Sequence, residues 1–343
     1  MNTPQSLSCC ATRNTSLDGM TRGLPIWVLL AMALGLGLGK LQSVPLKVFY
    51  WGMPLGLFFM IWPAMTKLHL EDLRAAASNR RAAALIVIFN YLLNPFLLWL
   101  FGWLFLRHEP ELWTGLILLG VAPCIAMVLV WTDLSGGNNA LSIALMAWNS
   151  LIQMITTPFF IWLIIGSQVH IDVVMIAQSV ILYLGLPLAL GVITRRVALR
   201  WRGAVWFDDI VQPKLDRLQL LALLCTLAVI YAQQGNVILQ HPDFILRLAL
   251  PLCLFFVSLY VIVFFVARTA KQNYADSTAI AYNATGRNFE LAIAIAVTAF
   301  AAQPLVGVST AIGPLIEVPL MLLLVKWSRA MANKLRWRDI SIA

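Results

Sequence analysis

Apolar residues run along this chain in long unbroken blocks. They show neither the three-and-four spacing of a soluble helix nor the alternation of a half-buried strand. A helix needs roughly 20 mostly apolar residues to cross a hydrocarbon core. Ten blocks approach or exceed that length: 24–39, 46–66, 82–106, 112–134, 138–166, 171–194, 214–233, 242–267, 277–300 and 306–328. Transmembrane strands alternate polar and apolar residues, and these runs do not. The pattern predicts an all-α integral membrane protein of about ten transmembrane helices. The first block follows basic residues, as a signal peptide does. It lacks a small-x-small cleavage site and is followed directly by Lys40, so it is read as the first span.

Composition removes the other classes. Of 343 residues, 61% are hydrophobic and only 11% charged, against roughly 25% charged in a soluble domain. Disorder, a disulfide scaffold and a soluble enzyme are all excluded. The net charge of +9 does not form a nucleic-acid stripe, because the basic residues sit in the connections between blocks. With the N-terminus inside, nineteen of the 24 Lys and Arg fall on the inner side, against Lys40, Lys47 and Arg107 on the outer side. That bias predicts an even number of spans in the cell membrane, with both termini cytoplasmic.

The longest connection, 195–213, separates five spans from five. An odd number of spans per half inverts the second half relative to the first, an arrangement secondary transporters use. Helix-breaking residues recur at matching places. Asn94-Pro95 in span three answers Pro251 in span eight, and Pro158 in span five answers Pro314 and Pro319 in span ten. Span four breaks at Ala122-Pro123-Cys124 and span nine at Asn283-Ala284-Thr285-Gly286. The expected organisation is a cytoplasmic tail (1–23), a region carrying the first five-helix repeat (24–194) and a cytoplasmic linker (195–213). The remaining helices of the second repeat, which begins at 171, follow at 214–328, and a cytoplasmic tail at 329–343 ends the chain.

Charges inside a span are rare and usually face a cavity. Here they are Arg287 and Glu290 in span nine, Glu317 in span ten, and Asp133 at the inner end of span four, where an interface or capping role is expected. Pro123 frees a carbonyl near Leu119, and irregular backbone at that depth is tolerated where it lines a cavity. Cys124 is expected at the start of the second half-helix, where a thiolate is stabilised and could take a soft, thiophilic species. Packing is the alternative, and it is the reading for Cys225 and Cys253. The amides Asn90 and Asn94 share a face of span three, as Asn149 and Gln153 do on span five. Such amides either line a site for a small uncharged solute or bond helix to helix.

Several chemistries are missing from the sequence. His69, His108, His170 and His241 all lie in loops, so no intramembrane histidine can serve a nucleophile or a metal. No phosphate-binding loop is present. Gly35-Leu-Gly37-Leu-Gly39 reads as a helix-packing signal. Cys9-Cys10 alone is a weak metal site, and no cofactor is expected.

These residues resemble a known family. Ala122-Pro123-Cys124-Ile125-Ala126-Met127-Val128-Leu129-Val130-Trp131 is similar to the fourth-span signature of the arsenical-resistance arsenite efflux transporters. Asn288-Phe289-Glu290-Leu291-Ala292-Ile293-Ala294 and Glu317-Val318-Pro319 resemble its ninth- and tenth-span motifs. The family lies in the bile/arsenite/riboflavin transporter superfamily. The resemblance implies ten spans, an inverted five-plus-five repeat and broken fourth and ninth helices. It also implies arsenic resistance by export of arsenite, as uncharged arsenous acid, in exchange for protons; antimonite is a further candidate substrate. It makes Cys124 and Glu290 the central pair, with Trp131, Asn149, Asn288 and Glu317 nearby. Arsenic(III) would then meet the Cys124 sulfur as substrate, while Glu290 and Glu317 carry the coupling proton.

Two residues depart from that pattern. Many members have Arg before the signature cysteine, where this chain has Pro123. The residue before Asn-Phe-Glu is commonly small or Asn, and here it is Arg287. The expectation is that Arg287 supplies, from the facing broken helix, the charge missing at position 123. It would share a helix face with Glu290 if the helix continued and modulate that carboxylate. The competing function is a sodium-coupled organic-anion transporter of the same superfamily. An intramembrane enzyme is a remote alternative, disfavoured by the absence of buried histidine.

Overall fold

The computed structural model describes residues 23–40, 46–67, 79–125, 127–166, 173–240, 242–335 and 337. Cys9, Cys10, His69, His170, His241, the N-terminal tail to residue 22 and the C-terminal residues from 338 lie outside them.

Among the described residues, ten helical segments follow one another where the apolar blocks predict them. They are α1 (Leu24–Lys40), α2 (Leu46–Met65) and α3 (Arg80–Leu106). The fourth is split into α4a (Pro110–Val121) and α4b (Val128–Leu134), and α5 is Asn139–Ile165. Helix α6 runs through Val173–Val180, Ile181–Gly185 and Leu186–Trp206; α7 comprises Phe207–Val211 and Gln212–Gln240. Then come α8 (Pro242–Thr269), the split pair α9a (Tyr274–Thr285) and α9b (Phe289–Ala299), and α10 (Pro304–Lys334). No strand occurs among the described residues beyond one isolated bridge between the two breaks. The chain is an all-α membrane protein.

Three prolines shape the helices without ending them. Pro95, Pro187 and Pro213 each follow a five-residue π turn, at Phe89–Leu93, Ile181–Gly185 and Phe207–Val211. A proline lacks the N–H and clashes with the carbonyl four residues back. The ladder widens to accommodate it, and the N–H of Asn94, Leu186 and Gln212 each reaches back five residues instead of four.

Helices α1 and α2 pack on α7, and α2 also on α6. Spans three, four, five, eight, nine and ten form a second group around the breaks. In lipid, helices associate through close packing of small residues more than through burial. Gly35 and Gly39 show this: a Cβ there would lie 2.4 Å from the Ala228 carbonyl and 2.6 Å from that of Ala232, so backbone meets backbone. Gly37, between them, faces open space. The glycine run is thus a packing seam, as read. Large apolar side chains such as Leu92, Phe96, Ile155, Leu246 and Leu323 point outward, as a surface facing acyl chains requires.

The connection 195–213 is read from the sequence as a loop, and the structure makes it helical. The chain turns at Gly203, whose φ of 82° suits glycine and few other residues. Two of the linker's charges, Arg195 and Asp208, help hold the turn. Arg195 donates to the Thr66 carbonyl (3.2 Å), pairs with Asp208 (3.4 Å) and lies over the Phe207 ring. Lys67 reaches Asp216 at 2.9 Å. These contacts tie the end of α2 to α6 and α7.

Candidate functional site

The two broken helices cross at their breaks, and the breaks pair. Pro123 and Arg287 form an antiparallel bridge. The Cys124 N–H donates to the Gly286 carbonyl (3.0 Å), and the Asn288 N–H donates to the Ala122 carbonyl (2.8 Å). A helix end buried in a membrane must satisfy its last carbonyls within the protein, and here each break serves the other. Gly286 has an ordinary φ of −61°, so it is glycine for space alone. A Cβ there would lie 2.7 Å from Val128 Cγ1 and 3.3 Å from Cys124 Cβ.

Arg287 closes the remaining carbonyls. Its Nη1 donates to Gly120 O (2.9 Å), at the C-terminal end of α4a. Its Nε donates to Thr285 O (2.9 Å), and Nη2 to Ala284 O and to Asn90 Oδ1 (2.9 Å). The side chain is 1% exposed. One guanidinium therefore sits between the C-termini of α4a and α9a. Each such terminus carries about half a negative elementary charge, so the two together roughly balance it. The sequence led us to expect a charge supplied across the break, and the guanidinium does reach α4a. Its expected relation to Glu290 is absent. The helix stops at Thr285 and restarts at Phe289, and no ion pair joins Arg287 to Glu290 or Glu317.

A shell of amides supports the guanidinium. Asn90, in the π turn of α3, donates to Asn149 Oδ1 (3.1 Å) and to the Asn283 carbonyl (3.2 Å). Asn149 donates to the same carbonyl at 3.3 Å. Asn94 donates to Gly120 O (2.8 Å), and Thr157 to Val121 O (3.4 Å). The carbonyls of Gly120, Val121, Ala122, Asn283, Ala284, Thr285 and Gly286 thus all hold a protein donor. Asn283 Nδ2 in turn donates to Ser142 (2.7 Å), which lies 3.3 Å from Thr132, fixing α9a against α5 and α4b.

The expected site residues gather around this crossing. Cys124 is buried, at 3% exposure. It lies within the extended break and not on a helix N-terminus as expected, because α4b begins only at Val128. Asn288 caps α9b by accepting from the Leu291 N–H (3.0 Å), and its Nδ2 has no protein partner. Glu290 is buried in the first turn of α9b, at the positive end of that helix dipole. Glu317 accepts from the Arg287 backbone N–H through Oε1 (3.2 Å), and its Oε2 has no partner. Trp131 is wholly buried on α4b. Asn149 is committed to the amide shell. Asp133 is exposed and accepts from Asn139 (2.9 Å), so it does not belong to the site.

Other buried polar atoms near the crossing lack a protein partner: both amide atoms of Gln153, Asn94 Oδ1, Asn283 Oδ1 and Thr285 Oγ1. Orphaned polar atoms inside a bilayer are costly, and a polar solute or water could satisfy them. The sequence reading did not identify Asn90 as a partner of Arg287. Its one signal was the Asn-Pro pair that follows it and forces the π turn.

Residues 54–241 match the model of the Sodium Bile acid symporter family. The chain is similar to the arsenical-resistance protein Acr3 of Corynebacterium glutamicum. Identity is 34% over 321 residues, covering 88% of this chain and 86% of the relative. It is 33% identical to an uncharacterized transporter, slr0944, of a Synechocystis species, over 91% of this chain and 88% of that one. Arsenical-resistance protein Acr3 of Alkaliphilus metalliredigens is 28% identical over 90% of this chain and 91% of its own length.

Proposed function

Because the chain belongs to the Sodium Bile acid symporter family, among the arsenical-resistance transporters of the Acr3 kind, we propose that it exports arsenite as arsenous acid in exchange for protons. Antimonite, whose trivalent form is equally thiophilic, is a second substrate on this reading. The observation that carries the proposal is the pairing of the two breaks. It brings the Cys124 backbone onto Gly286 and the Asn288 backbone onto Ala122, which supports reading the buried Cys124, Glu290, Glu317 and Asn288 as one site.

The cluster suits a small, neutral, trihydroxy solute. A thiol supplies selectivity for arsenic(III) over polyols, since soft ligands prefer soft centres. Asn288 Nδ2, Thr285 Oγ1 and the Gln153 amide offer hydrogen bonds to its hydroxyls. Glu290 and Glu317 are the groups able to carry a proton inward after arsenite leaves outward. Pro123 allows the break in α4, and Arg287 holds it to α9 without drawing on either carboxylate. The matched breaks in spans four and nine, and the crossing of two half-helices, support an inverted five-plus-five repeat. The excess of Lys and Arg on one side supports a cell-membrane topology with both termini in the cytoplasm.

Uptake of arsenite into inside-out membrane vesicles tests this. Wild type is compared with Cys124→Ser and Glu290→Gln, with and without an imposed pH gradient. Gradient-driven uptake lost in both variants is expected. Absence of uptake in well-folded wild type would overturn the substrate, and uptake indifferent to the gradient would overturn proton exchange.

A further inference from the structure

The family's name implies a sodium ion, and the natural place for one in a broken-helix transporter is the carbonyl cluster where half-helices end. Hard cations take oxygen ligands. The cluster is present here, but the residues do not fit the ion. The carbonyls of Gly120, Ala284 and Thr285 and the side-chain oxygen of Asn90 all accept from one guanidinium. The backbone N–H groups of Cys124 and Asn288 take the carbonyls across the break. Unpartnered buried oxygens remain on Glu317, Asn94, Asn283, Thr285 and Gln153, but the guanidinium already fills the carbonyl cluster with its own positive charge.

We propose that Arg287 is a tethered counter-cation at the crossing of the two breaks. It holds the position an alkali cation would otherwise take, and its removal converts the crossing into an alkali-cation site. Three observations converge on this. The guanidinium is wholly buried, yet its four side-chain hydrogen bonds go to neutral oxygens and none to a carboxylate. Two half-helix C-termini point their partial negative charge at it. Glu317 lies beside its backbone with one oxygen open, so that carbonyls, an amide oxygen and a carboxylate would face the space left by a shorter side chain. The consequence for transport is that this chain needs no sodium.

That consequence rests on the transport reading above, but the binding claim does not, and it is tested without arsenite. The thermal midpoint of the purified full-length protein in detergent is measured in sodium, potassium and choline chloride at equal ionic strength. Wild type and Arg287→Lys should melt alike in all three salts. Arg287→Ala should melt several degrees lower in choline. It should recover most of that loss, saturably, with sodium or potassium, and with millimolar guanidinium as a chemical rescue. Saturable stabilisation of wild type by sodium over choline would overturn the proposal. So would a folded Arg287→Ala that ignores every cation. A variant that folds in no salt, beside a wild type indifferent to sodium, would remove the created site and leave the tethered cation standing. Failure of arsenite uptake with these melting results intact would count against the substrate alone.

Discussion

Gly286→Ala tests whether the two breaks are held in contact by the absence of one methyl group. The backbone there, φ −61° and ψ 138°, is open to any L-residue, so alanine incurs no conformational strain. It even gains about 0.4–1 kcal/mol by restricting the unfolded chain. Against this, the new Cβ would sit 2.7 Å from Val128 Cγ1 and 3.3 Å from both Cys124 Cβ and the Tyr282 carbonyl. Valine is stiff at χ1 and cannot turn its methyl aside cheaply. Overpacking of this kind costs about 1–3 kcal/mol. Relief by separation would stretch the two cross-break hydrogen bonds, each worth about 1 kcal/mol. The net expectation is about 1–2 kcal/mol of destabilisation, up to roughly thirtyfold in the folding equilibrium.

The control is Val128→Ala, which removes the obstructing carbons. Alone it loses packing contacts. Combined with Gly286→Ala it should cost at least about 1 kcal/mol less than the two changes summed, the signature of residues in contact. The assay is equilibrium unfolding in mixed micelles, beside the rate of maleimide labelling in a protein retaining only Cys124. Labelling should speed up in Gly286→Ala and return toward wild type in the double variant. If Gly286→Ala unfolds with wild type, or the two changes are strictly additive, the breaks are not held in the way described.

Three further outcomes follow from the packing. Gly35→Leu and Gly39→Leu should each destabilise by more than about 2 kcal/mol, because a side chain would force backbone from backbone, whereas Gly37→Leu should be silent in the same unfolding measurement. Asn90→Leu should cost about 1–3 kcal/mol by leaving Arg287 Nη2 and the Asn149 amide short of partners, with Asn149→Leu strongly non-additive to it in a double-variant cycle. Pro123→Arg combined with Arg287→Asn should sustain growth on arsenite better than Arg287→Asn alone, since the two positions face each other in the bridge; equal growth would show that the crossing has no need of a cation.

The spans were legible because bilayer thickness sets their length, and hydropathy reads that directly. The breaks were legible because Pro123 and Gly286 disfavour helix. What those breaks do with their carbonyls was not legible, since it depends on which chain segment faces which. Arg287 looked like a neighbour of Glu290 by helical spacing. The spacing fails because residues 286–288 are extended, and the side chain turns to the carbonyls instead. Cys124 looked like a helix N-terminal residue because one proline suggests a short kink, whereas the break runs on to Val128. The linker looked like a loop because it is charged. Its Arg195 is answered by Asp208 and the Phe207 ring and its Arg202 by the Trp206 ring, and helix continues with a turn only at Gly203.

The division of labour at the crossing bears on what kind of solute can pass. A buried arginine commonly pairs with a carboxylate; here Glu317 lies against the Arg287 backbone N–H, and Glu290 follows three residues on in the chain. Had Arg287 taken either one, that carboxylate would be tied to a permanent charge and poorly placed to exchange a proton. The two half-helix ends offer backbone oxygens in number, so the guanidinium's side-chain hydrogen bonds go to neutral oxygens and none to Glu290 or Glu317. Glu317 hydrogen-bonds Arg287 through its backbone N–H and keeps one oxygen open. On the proposed function, a neutral acid would meet a thiol and two carboxyl groups, neither of them ion-paired to the guanidinium. An organic anion would find the one buried cation in the break spent on carbonyls. The same hydrogen bonds that hold the broken helices together thus leave no donor of that guanidinium for an anion, which accords with the uncharged substrate proposed above.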